Sequence, residues 1–402
     1  MGGAADIPML RPPDPGRADP DAPAAAVDAA VEALADARAV TVVVNDPQRE
    51  TATAAVLSRL TAGLPGRPLR ALVACGSHAF DRAARAAFER KILAAIGLRQ
   101  VAWHDDRSAD LVEISPGGWR GHRWLIEEDH ALLAVGSAEP HYFAGITGAH
   151  KTVTIGCASF DDIQDNHAGA LSPAARPCRL AGNPVHEGVA AMVEALQARR
   201  PVHAIDLLQV GPGIVAASAG APLEAVAALA DRVRAVHACT LPAPADALVL
   251  RAEGVLARSF YQADKAIKNA EWAVRDGGCL VLVAACEEGI GQDAFCDLLA
   301  RCGDYDAAAA EVDRRGYRLG DHKALRLRYL TGPRGVRAFV VSAGLDAGDA
   351  ALLGLAKAPS VGAALAEAGV DPAGGGVFAV ADAANTCVDV AAGGFDNPPA
   401  DR

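Results

Sequence analysis

Aromatic residues make up only 4% of this 402-residue chain, and methionine occurs three times. So few rings leave little for a base-stacking platform. Positive charge is short as well: 38 Lys and Arg stand against 49 Asp and Glu, a net charge of -11. Nucleic acids and anionic membranes are bound by neutralising phosphates, so neither is expected as a partner. Long apolar runs are missing. The longest, such as Cys279–Cys286, have strand length and fall far below the roughly 18–20 residues of a membrane helix. None of the nine cysteines forms a CxxC pair. Cys75, Cys239, Cys279 and Cys286 lie in apolar stretches and read as buried thiols in a reducing cytoplasm. The N-terminus has no basic segment leading into an apolar one, so its Pro-rich, acidic stretch reads as a flexible leader. No GxxxxGK(S/T), HExxH or GxSxG occurs, which argues against a P-loop, a zincin and an α/β-hydrolase.

What is present is core-forming material. Hydrophobic residues reach 51% and charged ones 22%, enough for two or three globular domains. Apolar spacing predicts a helix over 25–37, a β-branched strand over 39–44, a helix over 51–62, a strand over 69–74 and a helix over 80–96. Alternating strands and helices make a parallel sheet covered on both faces. Strand-like 131–135 comes next, then a helix over 184–198 and two strands around Gly211-Pro212-Gly213. LPAPAD near 240–246 reads as a linker into a second α/β domain, with a strand over 247–252, a helix over 263–275 and strands over 280–285, 339–342 and 377–380. The expected architecture is two α/β domains with parallel-rich sheets and a cofactor site in the cleft between them. Their expected bounds are 1–240 and 241–384, with the tail 385–402 packing back on the first.

Ligands of such sheets bind beyond the carboxyl ends of the strands, and Asp46, Arg49 and His78 all fall there. Asp46 could simply cap a helix while Arg49 faces water, or Arg49 could fork onto a carboxylate or phosphate. His78 is either a polar loop residue or a general base. His141, Lys151 and His167 form a denser group. At the entry to an apolar strand Lys151 would snorkel, whereas in a partly desolvated site it would be a nucleophile. His167 could bind zinc, copper or nickel, although one histidine is not a metal site. Further on, Tyr261-Gln262-Ala263-Asp264-Lys265 opens a helix, and Gln262 and Lys265 share one face there. A helix N-terminus with an added lysine suits an anion, and a merely solvated first turn is the alternative. Gly211-x-Gly213 and Gly289-x-Gly291 are fragments of a dinucleotide fingerprint without its full spacing.

The order of these pieces resembles the nickel-dependent lactate racemase family of 2-hydroxyacid racemases and epimerases. Asp46-x-x-Arg49 is similar to the family's DxxR, and Gly76-Ser77-His78 to its G-(S/T)-H segment. HYFAGITGAHK is similar to the HxFxGxxGxxK block and aligns His141 and Lys151; GNPVHE and Tyr261-Gln262-x-x-Lys265 follow in order. The resemblance implies a nickel-pincer nucleotide, a Ni(II) pyridinium-3,5-bisthiocarboxylic acid mononucleotide, attached covalently at Lys151 with His167 on the nickel. It also implies His78 and His141 as the acid/base pair. Asp46, Arg49, Tyr261, Gln262 and Lys265 would serve the cofactor, and Arg49, Gln262 and Lys265 the substrate carboxylate.

The implied activity is racemisation or epimerisation of a lactate-like 2-hydroxy acid by reversible hydride transfer. Cofactor-biosynthesis and nickel-insertion proteins are the implied partners. The alternatives are an inactive nucleotide-binding homologue and a nicotinamide-dependent 2-hydroxyacid dehydrogenase. His150 stands where the family usually has Arg, Pro47-Gln48 precedes Arg49, and Ala79 follows His78 in place of a basic residue. Those changes leave the choice of 2-hydroxy acid open.

Overall fold

A computed structural model describes residues 7–14, 16, 19, 21–96, 100–291 and 293–391. The chain divides into two compact units. One comprises Asp14–His167 and Leu180–Arg234; the other holds the described parts of Met1–Pro13, Ala168–Arg179 and Ala235–Arg402. Residues 392–402 of the expected C-terminal tail lie outside the described residues.

The first unit is built on a six-stranded sheet in the order Gly213–Gly220, Val202–Val210, Ala131–Ser137, Val40–Asn45, Leu69–Ala74, Gln100–Trp103. Every neighbouring pair is parallel except the hairpin Val202–Val210 with Gly213–Gly220. The central strands VTVVVN and LRALVA are buried along their whole length, as strands covered on both faces must be. Val42, Val44, Ala71, Val73, Leu133 and Val135 pack there against Val56, Leu57 and Leu60 of the helix Thr53–Gly63. The chain leaves Val40–Asn45 on one side toward Leu69–Ala74, while Ala131–Ser137 lies on its other side. That reversal opens a crevice at the carboxyl ends of Val40–Asn45 and Ala131–Ser137.

The second unit carries an all-parallel sheet in the order Met9–Leu10, Val377–Val380, Ala245–Arg251, Val274–Val283, Arg337–Val341, Ala356–Lys357. Part of the expected leader therefore has a fixed place, since Met9 and Leu10 pair with Ala379 and Val380. The expected linker near 240–246 is largely strand: Ala238–Leu241 pairs with Cys387–Val390, and Ala245 begins the next strand. The helix expected over 263–275 runs instead from Phe260 to Ala270, and the strand after it starts at Val274. All nine cysteines are free thiols, and all but Cys296 are buried. No described helix is long and apolar enough to cross a membrane.

Candidate functional site

Asp46 directly follows the strand Val40–Asn45 and is 5% exposed. It caps no helix, because the next one begins at Thr53 behind Ala52. Its Oδ1 accepts the Gln48 N–H at 2.9 Å within a tight turn, and its Oδ2 lies 2.8 Å from His78 Nδ1. A buried carboxylate accepts the Nδ1 proton, so the basic nitrogen of His78 is Nε2, on a side chain half open to solvent. The His78 loop is fastened by Gly76, whose N–H donates to Gly156 O at 2.9 Å. Gly76 has φ +53°, which a glycine adopts without strain. Arg49 does not simply face water: its Nη1 donates to Glu139 Oε2 at 2.9 Å.

His141 ends the two-residue strand Pro140–His141, which pairs with Gly145–Ile146. Its ring stacks on Tyr142 and meets Phe143 edge-on at 4.4 Å. The Ala144 N–H donates to His141 Nδ1 at 3.3 Å, and Nε2 lies 3.4 Å from Lys151 Nζ.

Lys151 is not at a strand entry. It lies on the short helix Ala149–Val153, because the β-branched run Thr152-Val153-Thr154 finds its partners in side-chain hydrogen bonds rather than a sheet. Thr152 Oγ1 donates to Asn45 Oδ1, Asn45 Nδ2 to Thr51 Oγ1, and Thr51 shares a hydrogen bond with Ser137 Oγ. Lys151 Nζ stands 5.9 Å from the centre of the Phe143 ring.

Phe143 also meets His167 edge-on, with ring centres 4.9 Å apart. His167, on the helix Phe160–Ala168, has its pKa pushed down to about 3, first by burial and then by the charge of Lys151. It is thus a neutral imidazole, and among the described residues its buried Nδ1 has no hydrogen-bond partner. A metal ligand needs just such a deprotonated nitrogen, so this residue fits the implied nickel. His141, Lys151 and His167 converge on one phenylalanine; Asp46 with His78 and Arg49 with Glu139 form two neighbouring pairs.

In the second unit Tyr261, Gln262 and Lys265 lie in the first turns of the helix Phe260–Ala270, all half-buried. The N–H groups of Phe260 and Tyr261 donate to Gly289 O and Ile290 O. A Cβ on Gly291 would come within 2.9 Å of Tyr261 Cβ, so Gly289-x-Gly291 is a turn fitted against this helix. Gly211 likewise turns a hairpin, with φ +56°. Neither glycine pair is a dinucleotide loop. Beneath the helix, Lys323 Nζ donates to Tyr261 O at 2.9 Å and pairs with Asp264 at 3.4 Å. Lys268 lies between Asp264 and Glu271, and Glu271 also holds Arg326. Burial raises the Tyr261 pKa to about 12 and lowers that of Lys323. Burial would raise Glu271 too, but Arg326, Lys268 and Arg334 outweigh it and bring it down.

Sequence reasoning missed Glu139, Asp206 and the Asp46–His78 contact. Glu139 stands two residues before His141, inside the quoted block's flank, and that position was its one signal. Asp206 was visible only as a lone acid in an apolar strand.

Fold and site together define a two-unit α/β protein with a lysine–histidine centre at the carboxyl edge of a parallel sheet. Residues 24–177 match the lactate racemase N-terminal domain, and residues 242–317 the lactate racemase C-terminal domain. The chain belongs to the lactate racemase family. It is 30% identical over 208 residues to the lactate racemase of Thermoanaerobacterium thermosaccharolyticum, covering 49% of this chain and 47% of that one. Against the lactate racemase of Lactiplantibacillus plantarum it is 27% identical over 266 residues, 63% of this chain and 60% of the other. The matches thus span about half to three-fifths of these relatives. In fold it is similar to the lactate racemase apoprotein of T. thermosaccharolyticum, with a TM-score of 0.78 at 21% identity over 95% of this chain and 99% of that one. A protein from Thermotoga maritima gives a TM-score of 0.70 at 14% identity, over 95% and 100% of the two chains.

Proposed function

We propose that this protein is a racemase or epimerase of a lactate-like 2-hydroxy acid that works by reversible hydride transfer. The observation that carries the reading is the meeting of His141, Lys151 and the neutral imidazole of His167 around Phe143. When bound, a nickel-pincer nucleotide joined to Lys151 and ligated by His167 would supply a hydride acceptor and donor beside the substrate.

Plain deprotonation of a carbinol carbon next to a carboxylate would make a dianion of very high energy, and moving that hydrogen as hydride avoids it. His78 Nε2 takes the hydroxyl proton from one enantiomer, and the buried Asp46 carboxylate stabilises the imidazolium that forms. The 2-keto acid is flat and returns to either configuration, with His141 serving the opposite face. Arg49, held by Glu139, keeps further N–H groups for the substrate carboxylate, and Gln262 and Lys265 are proposed substrate-binding residues of the second unit. Asp46, Arg49 and Tyr261 are further proposed to contact the cofactor. Enzymes that build it and insert nickel are the expected partners, and its free thiols suit a reducing cytoplasm.

Protein made together with cofactor-building enzymes should carry an adduct on Lys151, read by intact mass, with nickel by elemental analysis. Lys151→Ala should lose the adduct. His78→Ala and His141→Ala should keep it yet turn over at least about 100-fold more slowly, the low end of acid/base contributions. Normal racemisation by either histidine variant would refute the two-base scheme.

A further inference from the structure

The helix that carries Lys151 has only five residues, too short to be stable by its own hydrogen bonds. Its orientation must come from what grips it. At its N-terminus Ala149 N–H donates to Asp206 Oδ1 at 2.7 Å. Asp206 lies in the middle of the strand Val202–Val210, fully buried, directly opposite Gly136 on the next strand. Two glycines, Gly136 and Gly148, leave room for this contact. A Cβ on Gly136 would come within 2.2 Å of Ala149 N and 2.4 Å of Gly148 C, so the helix start rests on the bare sheet. A Cβ on Gly148 would lie 2.8 and 2.9 Å from the two Asp206 oxygens and 3.0 Å from His150 Nδ1. Gly148 has φ 168°, ordinary extended backbone, so it is small for reasons of space and not of conformation.

We propose that Asp206 is a positioning residue for Lys151, clamping the start of its helix so that the amine is aimed at His141. The proposal rests on the reading of Lys151 as the attachment lysine. Two anchors flank that residue: Asp206 holds Ala149, and Asn45 accepts from Thr152. Together they fix the rotation of the helix, and Lys151 Nζ arrives 3.4 Å from His141 Nε2. An acid sealed in such a place is costly unless it has work to do. Burial raises the Asp206 pKa to about 7, so near neutrality much of it is the uncharged acid. Among the described residues its Oδ2 has no hydrogen-bond partner, and neither have the Nδ1 atoms of His150 and His186 nearby. An amide of the same shape can therefore replace it, and an alanine cannot.

The test uses cofactor-free full-length protein and an acetylating N-hydroxysuccinimide ester, with the rate at each lysine read by mass spectrometry. The exposed Lys91 serves as internal reference. In folded Asp206→Ala the ratio of Lys151 to Lys91 acetylation should shift by about tenfold, the equilibrium equivalent of a lost buried hydrogen bond, and Asp206→Asn should restore it. An unchanged ratio in folded Asp206→Ala overturns the proposal, and so does Asp206→Asn behaving like alanine. Should Asp206→Ala fail to fold, Gly148→Ala puts a methyl group against the same carboxyl, and an unchanged ratio there is equally fatal. A missing adduct on Lys151 in cofactor-loaded wild-type protein would instead sink the attachment reading, and the acetylation result would stand apart from it.

Discussion

Lys151 stands on a helix whose supports carry no full charge near neutrality: threonines, an asparagine and a carboxyl group with a strongly raised pKa. Gln262 and Lys265 stand on a helix braced by ions: its own Asp264 and Lys268 pair with Lys323 and Glu271, Glu271 also holds Arg326, and all five are buried. The two devices have different strengths. Hydrogen bonds between neutral groups are directional and cheap to bury, so they suit a helix of one and a half turns that must present one side chain accurately. Buried ions depend on one another, because removing one leaves its partner's charge without compensation.

That difference can be broken by mutation. Glu271→Ala should destabilise the second unit by about 3–5 kcal/mol in guanidinium denaturation, since Lys268 and Arg326 both lose the Glu271 carboxylate and Lys268 keeps only the longer contact to Asp264. Asp206→Ala should cost the first unit less, about 1–3 kcal/mol, the penalty of an orphaned buried amide. Equal losses, or a larger one at Asp206, would erase the distinction.

The responses to pH should have opposite signs. The native pKa of Asp206 is raised to about 7. Its contribution is complete below the unfolded value of about 3.9 and is lost as pH rises toward 7. The groups around it, His150 on the Lys151 helix and His186 on the helix Pro184–Gln197, are themselves pushed toward the neutral form, chiefly by burial. Glu271 is lowered, so its contribution is present above about 4.3 and is lost as pH falls through its native pKa. Thermal unfolding measured across acid and neutral pH should therefore flatten at the neutral end in Asp206→Asn and at the acid end in Glu271→Gln. Matching curves for wild type and Asp206→Asn between about pH 4 and 7 would contradict the raised carboxyl.

Much of this was written locally in the chain. The strand over 69–74 follows from an apolar run that stops before Gly76, and the helix starting at Pro184 from its apolar spacing, and the structure has them where the spacing puts them. The positions of Asp46 and His78 past strand ends were legible for the same reason. Their contact was not, because 32 residues and a helix separate them. Arg49 and Glu139 are 90 residues apart, and Asp206 is 57 from the amide it holds. Such partners are chosen by sheet order, which no local pattern encodes. The stretch after Lys151 shows the reverse failure: its β-branched residues suggest a strand, but Thr152 and Thr154 spend their hydroxyls on Asn45 and on His150 O and stay helical or in a turn. The segment Ala168–Arg179 joins the other unit immediately after His167, again a matter of tertiary packing.

The most direct test of the chemistry is to incubate cofactor-loaded protein with one enantiomer of lactate in D2O and follow configuration and isotope at C2 together. Transfer of hydride out and back predicts a growing opposite enantiomer that still carries protium at C2. Deuterium at that carbon would mean that it had been deprotonated to a carbanion, and unchanged configuration across lactate and a panel of other chiral 2-hydroxy acids would mean that none is turned over; either result contradicts the account.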